Sequence, residues 1–119
     1  MEKDLFDEHE KEPDRKIVAQ LNDELRKYGR GGKVMITRDV QSLGEDFISR
    51  IVQTVREFDD FNPDNDPYKE RDCATLEVDS EKILWKIDYY DLEYKHHSPD
   101  KSNPEVTNRV LTIMLAYEY

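Results

Sequence analysis

The chain has 119 residues, suited to one domain, with 28 acidic against 18 basic side chains and a formal net charge of -10. So acidic a surface works against nucleic acid or an anionic membrane as a direct partner and favours cations, basic protein surfaces or simple solubility. The hydrophobic fraction is only 36%, but one Trp, seven Tyr and four Phe argue against disorder throughout.

Residues 1–13 are mostly charged and end at Pro13, which reads as a flexible acidic arm ahead of a single domain over 14–119. The first residues lack the apolar stretch of a signal peptide. Asp14 can cap a helix running to about Tyr28, with Ile17, Val18, Leu21, Leu25 and Tyr28 on one face. Gly29, Gly31 and Gly32 end it. They follow a helix and precede a strand, the reverse of the order a phosphate loop requires.

"KVMIT" reads as a short strand. Ser42 and Glu45 have capping-box spacing before a second helix, striped by Phe47, Ile48, Ile51, Val52, Val55 and Phe58. This helix must stop before Pro63. After an acidic loop, "CATLEVD" and "EKILWKIDYYDLEY" read as strands joined by a turn at Asp79-Ser80-Glu81, the second long enough to bend into an extra strand near Leu92. Past the polar "KHHSPDKS", Asn103 and Pro104 look like the start of a final helix carrying Val106, Val110, Ile113, Met114 and Tyr117 on one face. The expected architecture is α+β, in the order α-β-α-β-β-α: a small antiparallel sheet of three to four strands packed by about three helices.

Several blocks carry a resemblance. "GGKVMIT", "NDPYKERD", "WKIDYYD", "SPDKSNPEVT" and "RVLTIMLAYEY" are similar to those of a family known as domain of unknown function 3768, from about Gly31 to Tyr119. Where the family pattern has E-H-D-F-G, this chain has Glu70-Arg71-Asp72-Cys73-Ala74 and lacks the histidine, phenylalanine and glycine. The resemblance implies a compact bacterial protein of the kind found near mobile-element genes. It implies no activity, substrate or cofactor.

Residues 57–72 hold seven acids (Glu57, Asp59, Asp60, Asp64, Asp66, Glu70, Asp72) against Lys69 and Arg71, half the net charge of the chain. Asp60, Asn62, Asp64 and Asp66 have the opening spacing of a calcium loop, but Asn65 and Arg71 stand where that loop needs Gly and Glu. No metal site is expected. Asp59, Asp60, Asp64, Asp66 and Glu70 are instead candidates for contact with a basic partner.

In the second strand Ile83, Trp85, Ile87 and Tyr89 alternate with Leu84, Lys86, Asp88 and Tyr90. The first set should face the helices. The second set should be solvated, with Lys86 and Asp88 pairing across strands to neighbours such as Glu77. A catalytic reading would use Asp88 and Tyr90 with Glu70, Asp72 and a histidine, His96 or His97. Adjacent histidines in a loop point apart, which disfavours shared chelation. Cys73, the single cysteine, permits no intrachain disulfide, fits a reducing cytosol and reads as a buried strand residue.

No apolar run approaches the roughly 20 residues of a membrane-spanning helix. No nucleophile elbow, CxxC pair or HExxH occurs, and no cofactor is implied. The leading reading is a cytoplasmic, non-enzymatic binding protein, one that could inhibit by occupying a basic, nucleic-acid-binding protein site. The alternatives are a small hydrolase or metal-dependent enzyme with a carboxylate/His cluster, and a housekeeping interaction module. Monomer and homodimer both stay open, the latter through Tyr117 and Tyr119.

Overall fold

The computed structural model describes residues 13–119, so the expected acidic arm, apart from Pro13, lies outside the described residues. The fold is α+β: among the described residues there are three helices and a four-stranded mixed sheet in the order β1-β4-β3-β2.

Helix α1 spans Arg15–Tyr28. The Asp14 side chain accepts from the Lys16 and Ile17 amides at 3.0 and 3.2 Å, satisfying donors that have no partner inside the helix. Gly29 closes it at φ +70°, a left-handed position that costs glycine little. The face it buries is Val18, Ala19, Asn22, Leu25 and Arg26, whereas Ile17 and Tyr28 stay exposed. The buried arc is turned toward two polar residues because both find partners in the interior.

Strand β1, Lys33–Ile36, runs parallel to β4, Asn108–Leu115, with Val34 opposite Leu111. Between β1 and the long helix lies a one-turn helix α2, Arg38–Gln41, capped by Thr37. The expected capping box does not form. Ser42 donates its hydroxyl to the Asp39 carbonyl at 2.7 Å, closing α2. Helix α3, Glu45–Glu57, starts instead at Gly44, whose φ of +97° makes the corner between the two helices. Glu45 and Asp46 offset the missing side-chain cap by placing negative charge on the first turn.

Strands β2, Cys73–Val78, and β3, Glu81–Tyr90, form the expected antiparallel hairpin. Its turn residues Asp79 and Ser80 both have positive φ, +50° and +73°, the pattern of a two-residue turn that matches strand twist. β3 ends at Tyr90, with a single further bridge from Tyr90 to His97 and no extra strand at Leu92.

The carboxy-terminal segment differs from expectation. Asn103 and Pro104 do start a helical turn, but it is a 3₁₀ turn of three residues, Pro104–Val106, followed by strand β4. Helical and strand spacings overlap in this run. Arg109, Leu111, Ile113 and Leu115 alternate inward, and β-branched Val110, Thr112 and Ile113 favour extended chain. Pairing decides the matter: β4 sits between β1 and β3, matching β3 over Ile83–Tyr90. Its parallel contact with β1 makes the sheet mixed rather than wholly antiparallel.

The helices α1, α2 and α3 cover one face of the sheet. There Leu25, Val40, Ile51 and Val55 meet Ala74, Val78, Ile83, Trp85, Ile87, Leu111, Ile113 and Leu115. Trp85 is fully buried, with the Phe58 and Phe61 rings edge-on, each 6.1 Å away. No helix among the described residues is long and apolar enough to cross a membrane.

Candidate functional site

The helix-covered layer has a polar end. On both sides of Glu70 the chain passes through left-handed conformations, Lys69 at φ +60° and Arg71 at φ +54°, which drive the Glu70 side chain inward. The Asp66 carboxylate holds that bend by accepting the Glu70 and Arg71 amides at 3.1 and 3.0 Å. Glu70 is 2% exposed, and its two oxygens accept from Arg15 Nη1 and Lys101 Nζ, each at 2.9 Å. One carboxylate thus ties α1 to the β3–β4 connection.

Beside it lies Asn22 of α1, with no exposed surface. Its Nδ2 donates to the Glu70 carbonyl at 2.9 Å and to the Tyr89 hydroxyl at 2.8 Å, and its Oδ1 accepts from Arg109 Nε at 2.8 Å. Arg109 also donates through Nη2 to the Lys101 carbonyl and places its guanidinium 5.2 Å from the Tyr89 ring centre. The Tyr89 hydroxyl reaches Asp72 at 3.5 Å, a weak contact. Burial, reinforced by the Asp72 charge, pushes the Tyr89 phenol far up. Burial, then Glu70, raises the Asp72 carboxyl, and burial lowers the Arg109 guanidinium.

The catalytic candidates are not brought together. Glu70 and Asp72 belong to this polar end, whereas Asp88 and Tyr90 lie on the opposite face, which none of the helices α1–α3 covers. There Asp88 pairs with Lys86 of its own strand, and Glu77 stands opposite Lys82 instead. Tyr90 packs against Tyr94 with ring centres 5.9 Å apart. Asp72, at the edge of the sheet, lies between the two groups and lines a depression of about 210 Å³ with Cys73, Leu84, Lys86, Ile87, Asp88 and Tyr119. Cys73 is exposed, not buried: β2 is an edge strand, and odd positions on it point away from the helices. His96 and His97 are exposed. Among the described residues no three His, Cys, Asp or Glu side chains are grouped to hold a metal ion.

The acidic loop divides as well. Asp66 and Glu70 are buried and committed to the fold, so they leave the set of candidate partner contacts. Asp59, Asp60 and Asp64 are exposed. The loop carrying them is braced by an asparagine pair. Asn62 Oδ1 accepts the Asp64 and Asn65 amides at 2.8 and 3.0 Å, Asn65 Oδ1 accepts the Asn62 amide at 2.8 Å, and Asn65 Nδ2 donates to the Asp60 carbonyl at 2.9 Å. Asn62 Oδ1 and Asp66 Oδ1 are thus each taken by two backbone amides.

The spacing rules did not single out Asn22, Tyr89, Lys101 or Arg109. A signal for three of them was present: Asn22 and Arg109 are polar residues at positions in phase with buried apolar ones, and Tyr89 follows Trp85 and Ile87 inward. Lys101, in a polar loop, carried none.

The model of the family described as "Protein of unknown function (DUF3768)" matches residues 36–118, and the chain belongs to that family. No curated protein and no solved structure matches.

Proposed function

We propose that this family member is a cytosolic, non-enzymatic binding protein that presents a rigid acidic loop to a basic protein surface. The observation that carries this reading is the division of the loop's acids. Glu70 is paired with Arg15 and Lys101 and Asp66 accepts backbone amides inside, whereas the carboxylates of Asp60 and Asp64 form no ion pair among the described residues, and Asp59 acts at a distance on Arg26. The asparagine bracing fixes the loop before binding, so little conformational entropy is lost on docking. A cationic site of the kind that otherwise holds nucleic acid is the natural complement, and a protein occupying such a site acts as an inhibitor.

The hydrolase alternative has less support. The oxygens of Glu70 are taken by the chain's own cations, and Asp88 is taken by Lys86. The test is an affinity pull-down from host cytosol at low and high salt, with mass spectrometry of the retained proteins. Salt-sensitive retention of a basic protein supports the reading. Retention unaffected by salt, or by replacing Asp59, Asp60 and Asp64 with Asn, would falsify it. Capture of proteins with no nucleic-acid role would point to a housekeeping interaction module.

A further inference from the structure

Helix α1 is fastened to the fold in an unusual way. Its docked face mixes buried apolar side chains, Val18, Ala19 and Leu25, with a set of polar ties: Arg15 on Glu70, Asn22 on the Glu70 carbonyl and Tyr89, Asp23 with Arg71, and Arg26 on the last carbonyls of α3. Leu25 is its one side chain in the main apolar cluster. A single linker, residues 29–32, joins it to β1, with Gly29 and Gly31 both at positive φ. β1 is held by β4 independently of α1, so rotation about these glycines leaves the sheet unbroken. The family match begins at residue 36, after α1.

We propose that α1 is a hinged lid over a polar cleft walled by Glu70, Tyr89, Lys101 and Arg109, with the Asn22 carboxamide as its plug. The notch that Asn22 fills offers one donor, Arg109 Nε, and two acceptors, the Glu70 carbonyl and the Tyr89 oxygen. That set is complementary to a primary carboxamide. A carboxylate would set a second negative oxygen against the Glu70 carbonyl and leave that acceptor without a donor. With α1 lifted, the cleft is a site for a small ligand bearing a primary carboxamide, and such a ligand competes with Asn22.

Hydrogen exchange of the full chain, read by mass spectrometry, tests this. Amides of α1 should exchange through an opening about tenfold or more populated than the one that exposes β3 and β4. Asn22→Ala should raise α1 exchange by a further factor of about ten with a smaller change in β3 and β4. Acetamide should restore α1 protection in that variant, and acetate at the same concentration should not. Wild-type α1 exchanging at the rate of β3 and β4 would overturn the lid, a result that stands even if Asn22→Ala fails to fold. Equal effects of acetamide and acetate would overturn the carboxamide site.

Discussion

Trp85 and Tyr89 stand four residues apart on the same face of β3, both beneath α1, in opposite chemistries. Trp85 meets Phe58, Phe61 and the Arg26 guanidinium. Tyr89 meets Asn22, Asp72, Lys101 and Arg109. At the first end stability follows apolar area removed from water. At the second it follows whether each buried donor and acceptor has a partner. The dry end tolerates a mismatch: Trp85 Nε1 has no hydrogen-bond partner among the described residues. An unmet donor costs about 1–3 kcal/mol, while burying an aromatic side chain of 150–250 Å² gains roughly 4–6 kcal/mol, so area wins there.

The largest effect should therefore come from Trp85→Ala, which forfeits the area and leaves a cavity, at about 3–5 kcal/mol. Urea denaturation followed by circular dichroism should show the variant unfolded or nearly so at room temperature. Trp85→Phe removes the unmet donor with part of the ring and should lose clearly less. Equal losses in the two would mean that packing area is not what the dry end supplies.

At the polar end the measure is matching. Glu70→Gln keeps the shape but removes the charge facing Arg15 and Lys101, and should cost about 1.5–3 kcal/mol, the range for hydrogen bonds to charged groups. Arg15 and Lys101 are partly exposed and can recover water, which holds the loss below that of a sealed ion pair. Asp66→Ala strands the Glu70 and Arg71 amides and should cost about 1–3 kcal/mol. If Glu70→Leu proved as stable as wild type, the polar end would be an apolar core in disguise and the contrast would fail.

How much of this was legible follows from the same contrast. The dry end could be read because alternation of large apolar residues has one interpretation: Ile83, Trp85 and Ile87 face the helices as the pattern requires. The polar end was legible only in part: Asn22 and Arg109 fall in phase with buried apolar positions, but their partners are distant in sequence, and Glu70, in an acidic loop, looks solvated until Arg15 and Lys101 are placed beside it. The last strand failed for another reason. Val106, Val110, Ile113 and Met114 fit a helical stripe, and only the need of β1 and β3 for a shared neighbour makes 108–115 extended. Asp14, Gly29 and the Asp79-Ser80 turn were readable because caps and turns are local.

A smaller effect separates the ends by pH. Burial and the Glu70 charge raise the Asp72 carboxyl above its ordinary value of 3.8. The folded protein therefore holds this proton more tightly than the unfolded chain. The Asp72 contribution to stability is most favourable below 3.8 and declines as pH rises through the raised folded value. Asp72→Asn removes that dependence, so its stability relative to wild type should grow as pH rises across this window. Denaturant titrations of both proteins at several pH values from acid to neutral measure the difference. A difference independent of pH would show that Asp72 is solvated like an ordinary surface acid.

The smallest effect on folding should come from the exposed part of the acidic loop, and there the contrast meets function. Replacing Asp59, Asp60 and Asp64 with Asn removes three charges but leaves the Asn62–Asn65 bracing and Asp66 in place. Stability should stay within about 0.5 kcal/mol of wild type, as for surface changes remote from packed or matched groups. Binding should respond differently. Loop charges that steer a basic partner raise its association rate, and salt screens that gain over a Debye length of about 8–10 Å at physiological ionic strength. Surface plasmon resonance against the partner recovered by pull-down should show slower association of the triple variant at low salt, with the two proteins converging as salt rises. Dissociation should change less, because exposed charges at an interface rim act mainly on encounter. Unchanged association at low salt, with the fold verified by circular dichroism, would leave these acids as a solvated loop and move any binding surface elsewhere on the molecule.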